Sequence, residues 1–368
     1  MKNNQINLKT NNSHYNLKLI QEYMNTIDYM KLNIAYNNTN LFTPKVSIIA
    51  TVFNKDNYLN RFIKSVQSQI LKEFELILVD DFSTDNSVKT IKNYQKNDNR
   101  IKLIQNKKNR GTLFSRAKGL LHSKGEYIIW IDPDDILLQT GLFNAYNHIK
   151  KYNLSIVQFN AIIQINDNIS LKFNDYIYLN IIKQPFLSYI FYYNETTKKG
   201  AQFNTALWDK LIDRKVANKA IYFIGKNFLN KIIKIENDVV LLFSLFRNAD
   251  SYQFINDIGY FYVRSNKDSI SNNWKNPENC QLIIHSIFSN IMFIYTKSSE
   301  THLDKLFCIF KLQQSFKRYK ICFEKAQREY KFIEKTLKLL QNSSFISKKD
   351  KKIIENIGSS ISFLLSKK

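Results

Sequence analysis

Glycine and cysteine are both scarce in this chain of 368 residues. The 8 glycines never form the Gly-x-Gly-x-x-Gly turn of a dinucleotide-binding loop, and none begins the Gly-Lys-Ser/Thr end of a Walker-type loop. A glycine-rich backbone cradle for phosphate groups is therefore excluded. The 3 cysteines, Cys280, Cys308 and Cys322, are too few for a disulfide scaffold and lack the Cys-x-x-Cys spacing of zinc sites. We expect them to be reduced.

Long apolar segments are also missing. The first 40 residues are polar and rich in asparagine, without the apolar core of a signal peptide. The longest uncharged stretch, 280–296, includes Gln281, Ser286 and Asn290, which favours a partly buried helix over a membrane span. We expect a soluble, cytoplasmic protein, with peripheral contact to a membrane left open.

Negative charge is in the minority, because 54 Lys and Arg residues face 31 Asp and Glu residues and give a net charge of +23. The lysines are spread along the chain without a dense basic helix, which favours a solvated basic surface and no nucleic-acid partner. Nucleic-acid binding remains an alternative that only the charge supports. A basic surface also attracts anionic substrates such as nucleotide diphosphates.

Strand and helix patterns alternate four times between residues 45 and 135. Short apolar runs at 46–52, 76–79, 101–104 and 127–131 predict buried parallel strands. Helical spacing predicts one helix with Leu59, Phe62, Ile63, Val66 and Ile70 and another with Leu113, Phe114, Ala117, Leu120 and Leu121. This alternation indicates a doubly wound α/β unit, whose ligand binds beyond the carboxyl ends of the strands.

Polar and acidic residues follow three of these strands. Asp80 ends the second strand, where it either belongs to a ligand site at this edge or only caps the next helix. The fourth strand is followed by Asp132, Asp134 and Asp135, and three carboxylates in four residues repel one another unless a cation offsets their charge. Hard oxygen ligands of this kind suit Mg²⁺ or Mn²⁺, which bridge to phosphate groups.

Four sequence motifs stand in order between residues 44 and 138. They are Ser47 to Asn54, then Val79-Asp80-Asp81-Phe82-Ser83-Thr84-Asp85, then Asn109-Arg110-Gly111, and finally Gly125-Glu126-Tyr127-Ile128 followed by Asp132-Pro133-Asp134-Asp135. In this order the segment resembles the nucleotide-sugar-binding half of glycosyltransferase family 2, enzymes of the GT-A fold. The resemblance implies an α/β fold with a mostly parallel, doubly wound sheet and flanking helices.

The resemblance also implies roles for single residues. Thr51 and Phe53 would line the base pocket and Asp81 would contact the nucleobase. Asp132 would face the ribose. Asp134, with Asp135 beside it, would hold the Mn²⁺ or Mg²⁺ of the family's Asp-x-Asp (DxD) motif.

A second segment, 139–275, is expected to supply the acceptor side. Family members commonly carry Glu-Asp where this chain has Asn237-Asp238, and the aspartate is their general base. The resemblance therefore implies that Asp238 is catalytic, with helix capping as the alternative. Arg264 would meet the donor phosphates, and a plain strand and loop is the alternative for the segment around it.

The resemblance implies an inverting, metal-assisted glycosyltransferase. It would move a hexosyl or N-acetylhexosaminyl group from a nucleotide-diphosphate sugar to a hydroxyl of a glycan, lipid or protein acceptor. A catalytically silent sugar-nucleotide or glycan-binding protein of the same fold is the alternative, and Asn237 would be its first sign.

Two flanking regions complete the predicted organisation: an N-terminal helical extension, 1–43, and a C-terminal helical region, 276–368. The C-terminal region carries a heptad stripe of Ile309, Leu312, Phe316, Tyr319, Phe323, Ala326, Tyr330, Ile333, Leu337 and Leu340. Because this stripe is rich in aromatic residues, we expect it to pack against the catalytic unit of a monomer. A dimerising coiled coil is the alternative.

Overall fold

The structure is a computed structural model that describes most of the chain beyond residue 42. Described are residues 43–165, 168–172, 181–183, 206–233, 235–263, 277–297 and 330–342, with positions 308, 312, 315, 322, 351, 352, 354, 355 and 359. The predicted N-terminal extension lies outside these residues, apart from Thr43.

The strands of the described residues form one mixed sheet. They are β1 (Val46–Val52), β2 (Phe74–Asp80), β3 (Ile101–Gln105), β4 (Tyr127–Ile131), β5 (Ile136–Leu137), β6 (Ile156–Ile165), β7 (Asn168–Lys172), β8 (Ile182–Lys183), β9 (Lys210–Asp213) and β10 (Ser251–Val263). Their order across the sheet is β3-β2-β1-β4-β9-β6-β10-β5, with β7 beside β6 and β8 beside β10.

The helices flank this sheet. They are α1 (Asp56–Gln67), α2 (Ser87–Gln95), α3 (Thr112–Leu121), α4 (Gly141–Tyr152), α5 (Arg214–Ile224), α6 (Lys226–Leu229), α7 (Asn237–Asn248), α8 (Pro277–Lys297) and α9 (Tyr330–Gln341). Among the helices that the structure describes, none combines the length and apolarity needed to cross a bilayer.

The four strands predicted between residues 45 and 135 are confirmed. β1 pairs in parallel with β2 and β4, and β2 pairs in parallel with β3. The antiparallel strand β9 then lies between β4 and β6, so one sheet runs through both predicted segments, 44–138 and 139–275. Since β6 and β10 are parallel, the carboxyl ends of β1, β2, β4 and β10 reach the same edge.

The core lies on both faces of the sheet because side chains alternate along each strand. Ile49 and Trp130 pack with α3, α5, α7 and α8 on one face. Ile48 and Ala50 pack with α1 and α4 on the other. The described stripe residues Leu312, Leu337 and Leu340 are buried in the first of these clusters, as the heptad pattern predicted.

Three expectations about single positions are wrong. Ile70 lies beyond the end of α1 and is exposed. Leu121 ends α3 and is 74% exposed, because it points away from the face that carries Leu113 and Leu120. Cys280 and Cys322 form a disulfide with a Cα–Cα distance of 4.6 Å, so these two cysteines are not reduced.

Candidate active site

The loop after β1 and the loop after β2 are hydrogen-bonded to each other at the edge of the sheet. The amide of Asn54 donates to Oγ of Ser83 at 3.0 Å, and the amide of Thr84 donates to Oδ1 of Asn54 at 2.8 Å. Asn54 and Phe82 both have positive φ angles, of 51° and 71°. Such backbone conformations are rare outside glycine. They persist only where surrounding bonds maintain them, and they are common at functional sites.

Two aromatic side chains stand exposed at this edge. Phe53 follows β1 and is 45% exposed, while Phe82 follows β2 and is 51% exposed. Thr51 precedes them at the end of β1 and is half-buried. Thr51 and Phe53 are among the residues predicted from the sequence, and Phe82 is not. An exposed aromatic residue beside strand-end polar groups could have drawn attention to it, since such rings stack on planar ligands.

Asp81 lies beneath the turn that opens α3. Its carboxylate accepts hydrogen bonds of 2.8 Å from Nδ2 of Asn106 and from the amides of Arg110 and Gly111. Gly111 has a φ of +86°, which a side chain would strain. Asp81 is therefore buried and fixes the Asn-x-Gly turn, and its predicted contact with a nucleobase stays a prediction.

Two basic residues, one just before α1 and one on it, bond to Asp134. Nζ of Lys55 lies 2.7 Å from Oδ2 of Asp134, and Nη2 of Arg61 donates to the Asp134 carbonyl oxygen at 2.5 Å. Neither basic residue was predicted from the sequence. The available signal was their position, with Lys55 just before α1 and Arg61 in the second turn of this helix, which follows β1.

Asp135 faces the interior instead. Its oxygens accept hydrogen bonds of 2.8 Å from the hydroxyl of Tyr260 and the amide of Val263, both on β10. Burial and the adjacent carboxylates of Asp134 and Asp132 raise the pKa of Asp135 well above its usual value. In this position Asp135 anchors the loop, while its predicted part in metal binding stays a prediction.

Arg116 joins the loop after β4 to the start of α7. Its Nη1 donates to Oδ1 of Asn237 at 2.6 Å and to Oδ1 of Asp238, and its Nη2 donates to Oδ1 of Asp132 at 3.3 Å. Burial and the carboxylates of Asp238 and Asp134 raise the pKa of Asp132 to about 6, although Arg116 opposes that shift. Two predicted site residues, Asp132 and Asp238, are thereby brought together.

Arg116 is not among the residues predicted from the sequence, although the sequence contains a signal for it. Arg116 lies three residues after Leu113 and four before Leu120, on the apolar face of α3. A buried charge on such a face requires a partner of opposite charge. Its partners on α7 could not be foreseen, because they lie 121 and 122 residues away in sequence.

Asp238 lies in the first turn of α7, where the helix dipole favours an anion. The preceding Glu236 has a positive φ of 54°, and Nδ2 of Asn290 on α8 donates to its carbonyl oxygen at 3.0 Å. The Asp238 side chain is 30% exposed, so it is open to a ligand. Arg264 lies outside the described residues.

The acidic groups of the site fit a divalent cation, although no three metal-ligating side chains converge among the described residues. Mg²⁺ is usually held by one or two carboxylates together with substrate phosphates, so a group of three is not needed. Burial is the main cause of the raised pKa of Asp132, and the carboxylates of Asp238 and Asp134 add to it. The carboxylate of Asp134 already attracts a positive charge, the ammonium of Lys55.

The chain belongs to glycosyl transferase family 2, whose sequence profile matches residues 47–232. It is 34% identical over 224 residues to the cholesterol galactosyltransferase of Borreliella burgdorferi, covering 60% of this chain and 59% of that protein. It is 38% identical over 118 residues to the poly(ribitol-phosphate) beta-N-acetylglucosaminyltransferase TarP of Staphylococcus aureus, covering 31% of this chain and 35% of that protein. The chain thus spans less than two thirds of either relative.

The fold is similar to that of S. aureus TarS, residues 1–349. The TM-score is 0.60 at 15% sequence identity, over 87% of this chain and 88% of that structure. The predicted family and the GT-A fold are therefore both confirmed.

Proposed function

We propose that the protein is an inverting glycosyltransferase that uses a nucleotide-diphosphate sugar. One observation carries the proposal: Asp132, Asp134 and Asp238 surround a single edge of the sheet, where Arg116 joins the first of them to the last. Under this proposal Asp132 serves the donor and Asp238 serves the acceptor, so their contact through Arg116 would bring the two substrates together for transfer.

Asp238 would act as the general base. Its carboxylate takes the proton from an acceptor hydroxyl, and the hydroxyl oxygen forms a bond to the anomeric carbon. The bond between that carbon and the diphosphate oxygen breaks on the opposite face, and its electron pair leaves with the nucleotide diphosphate. Attack from the opposite face inverts the anomeric configuration.

Asp134 would hold the cation, with Asp132 facing the ribose. A bound Mn²⁺ or Mg²⁺ offsets the charge of the diphosphate leaving group. Lys55, 2.7 Å from Asp134, supplies a second positive charge at the same place. Phe53 and Phe82 offer exposed aromatic rings for the base.

The names of the relatives support the substrate class. They are named for the transfer of galactose and of N-acetylglucosamine, so we propose a hexosyl or N-acetylhexosaminyl donor. The acceptor would be a hydroxyl of a glycan, lipid or protein. The proposal also includes a monomeric state and peripheral contact with a membrane. Within the chain, segment 44–138 would bind the nucleotide sugar and segment 139–275 would bind the acceptor.

A donor screen combined with two substitutions tests the proposal. UDP-glucose, UDP-galactose and UDP-N-acetylglucosamine would be compared for thermal stabilisation and for release of UDP, with and without Mn²⁺. We expect Asp134→Asn to lose the Mn²⁺-dependent effects, and Asp238→Asn to keep donor binding but lose turnover. Asp250→Asn, an exposed change at the opposite edge, is the matched control.

Two outcomes would contradict the proposal. If neither Asp134→Asn nor Asp238→Asn altered turnover, the assigned site would be wrong. If a donor stabilised the protein but was neither hydrolysed nor transferred to any acceptor, the silent sugar-nucleotide-binding alternative would replace it. In that case Asn237, which stands where the family commonly has glutamate, is the first position to restore.

A further inference from the structure

Arg116 contacts Asp238 through only one carboxylate oxygen. Nη1 of Arg116 donates to Oδ1 of Asp238, and Oδ2 has no hydrogen-bond partner among the described residues. We infer that Arg116 is a positioning residue, which holds Oδ1 so that Oδ2 of Asp238 faces the acceptor hydroxyl. This inference rests on the proposed function, because it requires Asp238 to be the base.

The surroundings of Arg116 make it a rigid support. Its side chain is only 6% exposed, and it lies on α3, which packs against β1 and β2. The backbone carbonyl of Arg116 also accepts a hydrogen bond from Nε1 of Trp130 at 3.4 Å. A side chain fixed in this way loses little further freedom when a substrate binds, so it can maintain the geometry of its partners.

The planar guanidinium is needed for this contact pattern. Its two terminal nitrogens serve different segments, with Nη1 bonded to Asn237 and Asp238 and Nη2 bonded to Asp132. A lysine ammonium is a single point charge and cannot reproduce both directions. Arg116 therefore fixes where the base stands relative to the carboxylate that faces the donor.

Asn237 is the uncharged partner of Arg116, whose other two partners, Asp132 and Asp238, are carboxylates. Its amide oxygen accepts from Nη1 at 2.6 Å but carries no net charge. The positive charge is therefore shared by two carboxylates, Asp132 and Asp238, and not by three. Without Arg116 these two carboxylates would repel each other across the site, and Asp238 would lose the contact that orients it.

A double-mutant cycle tests the inference. Arg116→Lys, Asp238→Asn and the double variant would be compared for the Mn²⁺-dependent hydrolysis of the UDP-sugar that best stabilises the protein, in which water takes the place of the acceptor. We expect Arg116→Lys to lower kcat on the order of 10- to 100-fold, as misplacement of a catalytic group does. We expect this loss to disappear in the Asp238→Asn background, because the two residues act as one unit.

Donor affinity gives a second readout. Calorimetric titration with the same UDP-sugar should show a Kd change for Arg116→Lys that is much smaller than its change in kcat. Arg116→Met, which removes the charge, should lower kcat further, and added methylguanidine should restore part of it. Arg247→Lys, in the last turn of α7, is the matched control and should leave kcat unchanged.

The outcomes separate the two ideas. Wild-type kcat in Asp238→Asn would reject Asp238 as the base, and with it the proposed function. Wild-type kcat in Arg116→Lys alone, or equal losses for Arg116→Lys in both backgrounds, would reject the positioning role and leave the proposed function standing. Arg116→Lys keeps a buried cation beside both carboxylates, so it remains the informative variant if Arg116→Met does not fold.

Discussion

The Tyr260 hydroxyl donates a 2.8 Å hydrogen bond to Oδ2 of Asp135, although 125 residues of sequence separate them. The ring of Tyr260 is fully buried and stacks on Trp208 with 4.5 Å between centroids. The bond thus connects the loop after β4 to a buried aromatic pair, of which Tyr260 belongs to β10. The loop that carries Asp132 and Asp134 takes its position from this second segment.

Tyr260→Phe removes this bond and leaves the ring in place. We expect a loss of about 1–3 kcal/mol in the free energy of unfolding, because Asp135 would lose a donor inside the protein. Chemical denaturation measures this change. Tyr222→Phe, on an almost fully exposed side chain of α5, is the control and should have no effect. Equal stability for both variants would show that the bond does not hold the loop.

Glu75 links three strands at the edge of the sheet opposite the site. It accepts from Oγ of Ser47 and Nζ of Lys102, both at 2.5 Å, and from the amide of Gly125 at 3.1 Å. Burial opposes its ionisation, but the hydrogen bonds from Lys102, Ser47 and the Lys124 amide outweigh burial and lower the pKa of Glu75. Its ionised form therefore stabilises the fold.

Glu75→Gln should lower the free energy of unfolding by about 2 kcal/mol at neutral pH. A lowered pKa in the folded state means that the stabilisation is present above the usual value of 4.5 and disappears as the pH falls through the folded-state pKa. The difference between Glu75→Gln and the unchanged protein should therefore shrink below about pH 4.5. Glu73→Gln, in a half-exposed ion pair with Lys45, should cost less than about 0.5 kcal/mol. A difference that stayed constant with pH would contradict the role of the ionised carboxylate.

Gly125 packs against the backbone of β1. A Cβ atom at this position would lie 2.5 Å from the amide nitrogen of Ser47 and 2.6 Å from its Oγ. Gly125→Ala should therefore destabilise the fold by about 1–3 kcal/mol, because the backbone must shift to admit the methyl group. Lys124→Ala, next to it and exposed, is the control for thermal unfolding. Unchanged stability in Gly125→Ala would mean that β1 and the start of β4 are less tightly packed than described.

Lys55 and a divalent cation should compete for Asp134. Lys55→Met removes the ammonium that lies 2.7 Å from Oδ2, so Mn²⁺ should bind more tightly, on the order of tenfold, in the absence of donor. Electron paramagnetic resonance of free Mn²⁺ measures this affinity without any turnover. Lys64→Met, an exposed change in the last turn of α1, should leave it unchanged. Weaker Mn²⁺ binding in Lys55→Met would show that Lys55 supports the cation and does not oppose it.

The first half of the fold could be predicted from the sequence because its strands are mostly apolar and its helices follow a regular spacing. β9 could not, since it begins with Lys210, whose ammonium is buried against Asp209 at 2.7 Å. A buried ion pair looks like an exposed polar segment when only the sequence is considered. β5 has two residues, too few to show any period.

The acidic part of the site could be predicted for a topological reason. Parallel strands end at a common edge, so Asp132 and Asp134 had to lie near the loops after β1 and β2. The basic part could not, because pairing between Arg116 and α7 depends on how distant segments pack. Sequence spacing carries no information about such a contact.

The bond between Val263 and Asp135 also sets an order of events during synthesis. β1 to β4 leave the ribosome early, but the loop after β4 finds its last donors only when residue 263 has emerged. Until β9 and β6 arrive, the outer edge of β4 is unpaired and open to other chains. Until then the outer edge of β4 and the acidic loop that follows it are exposed together.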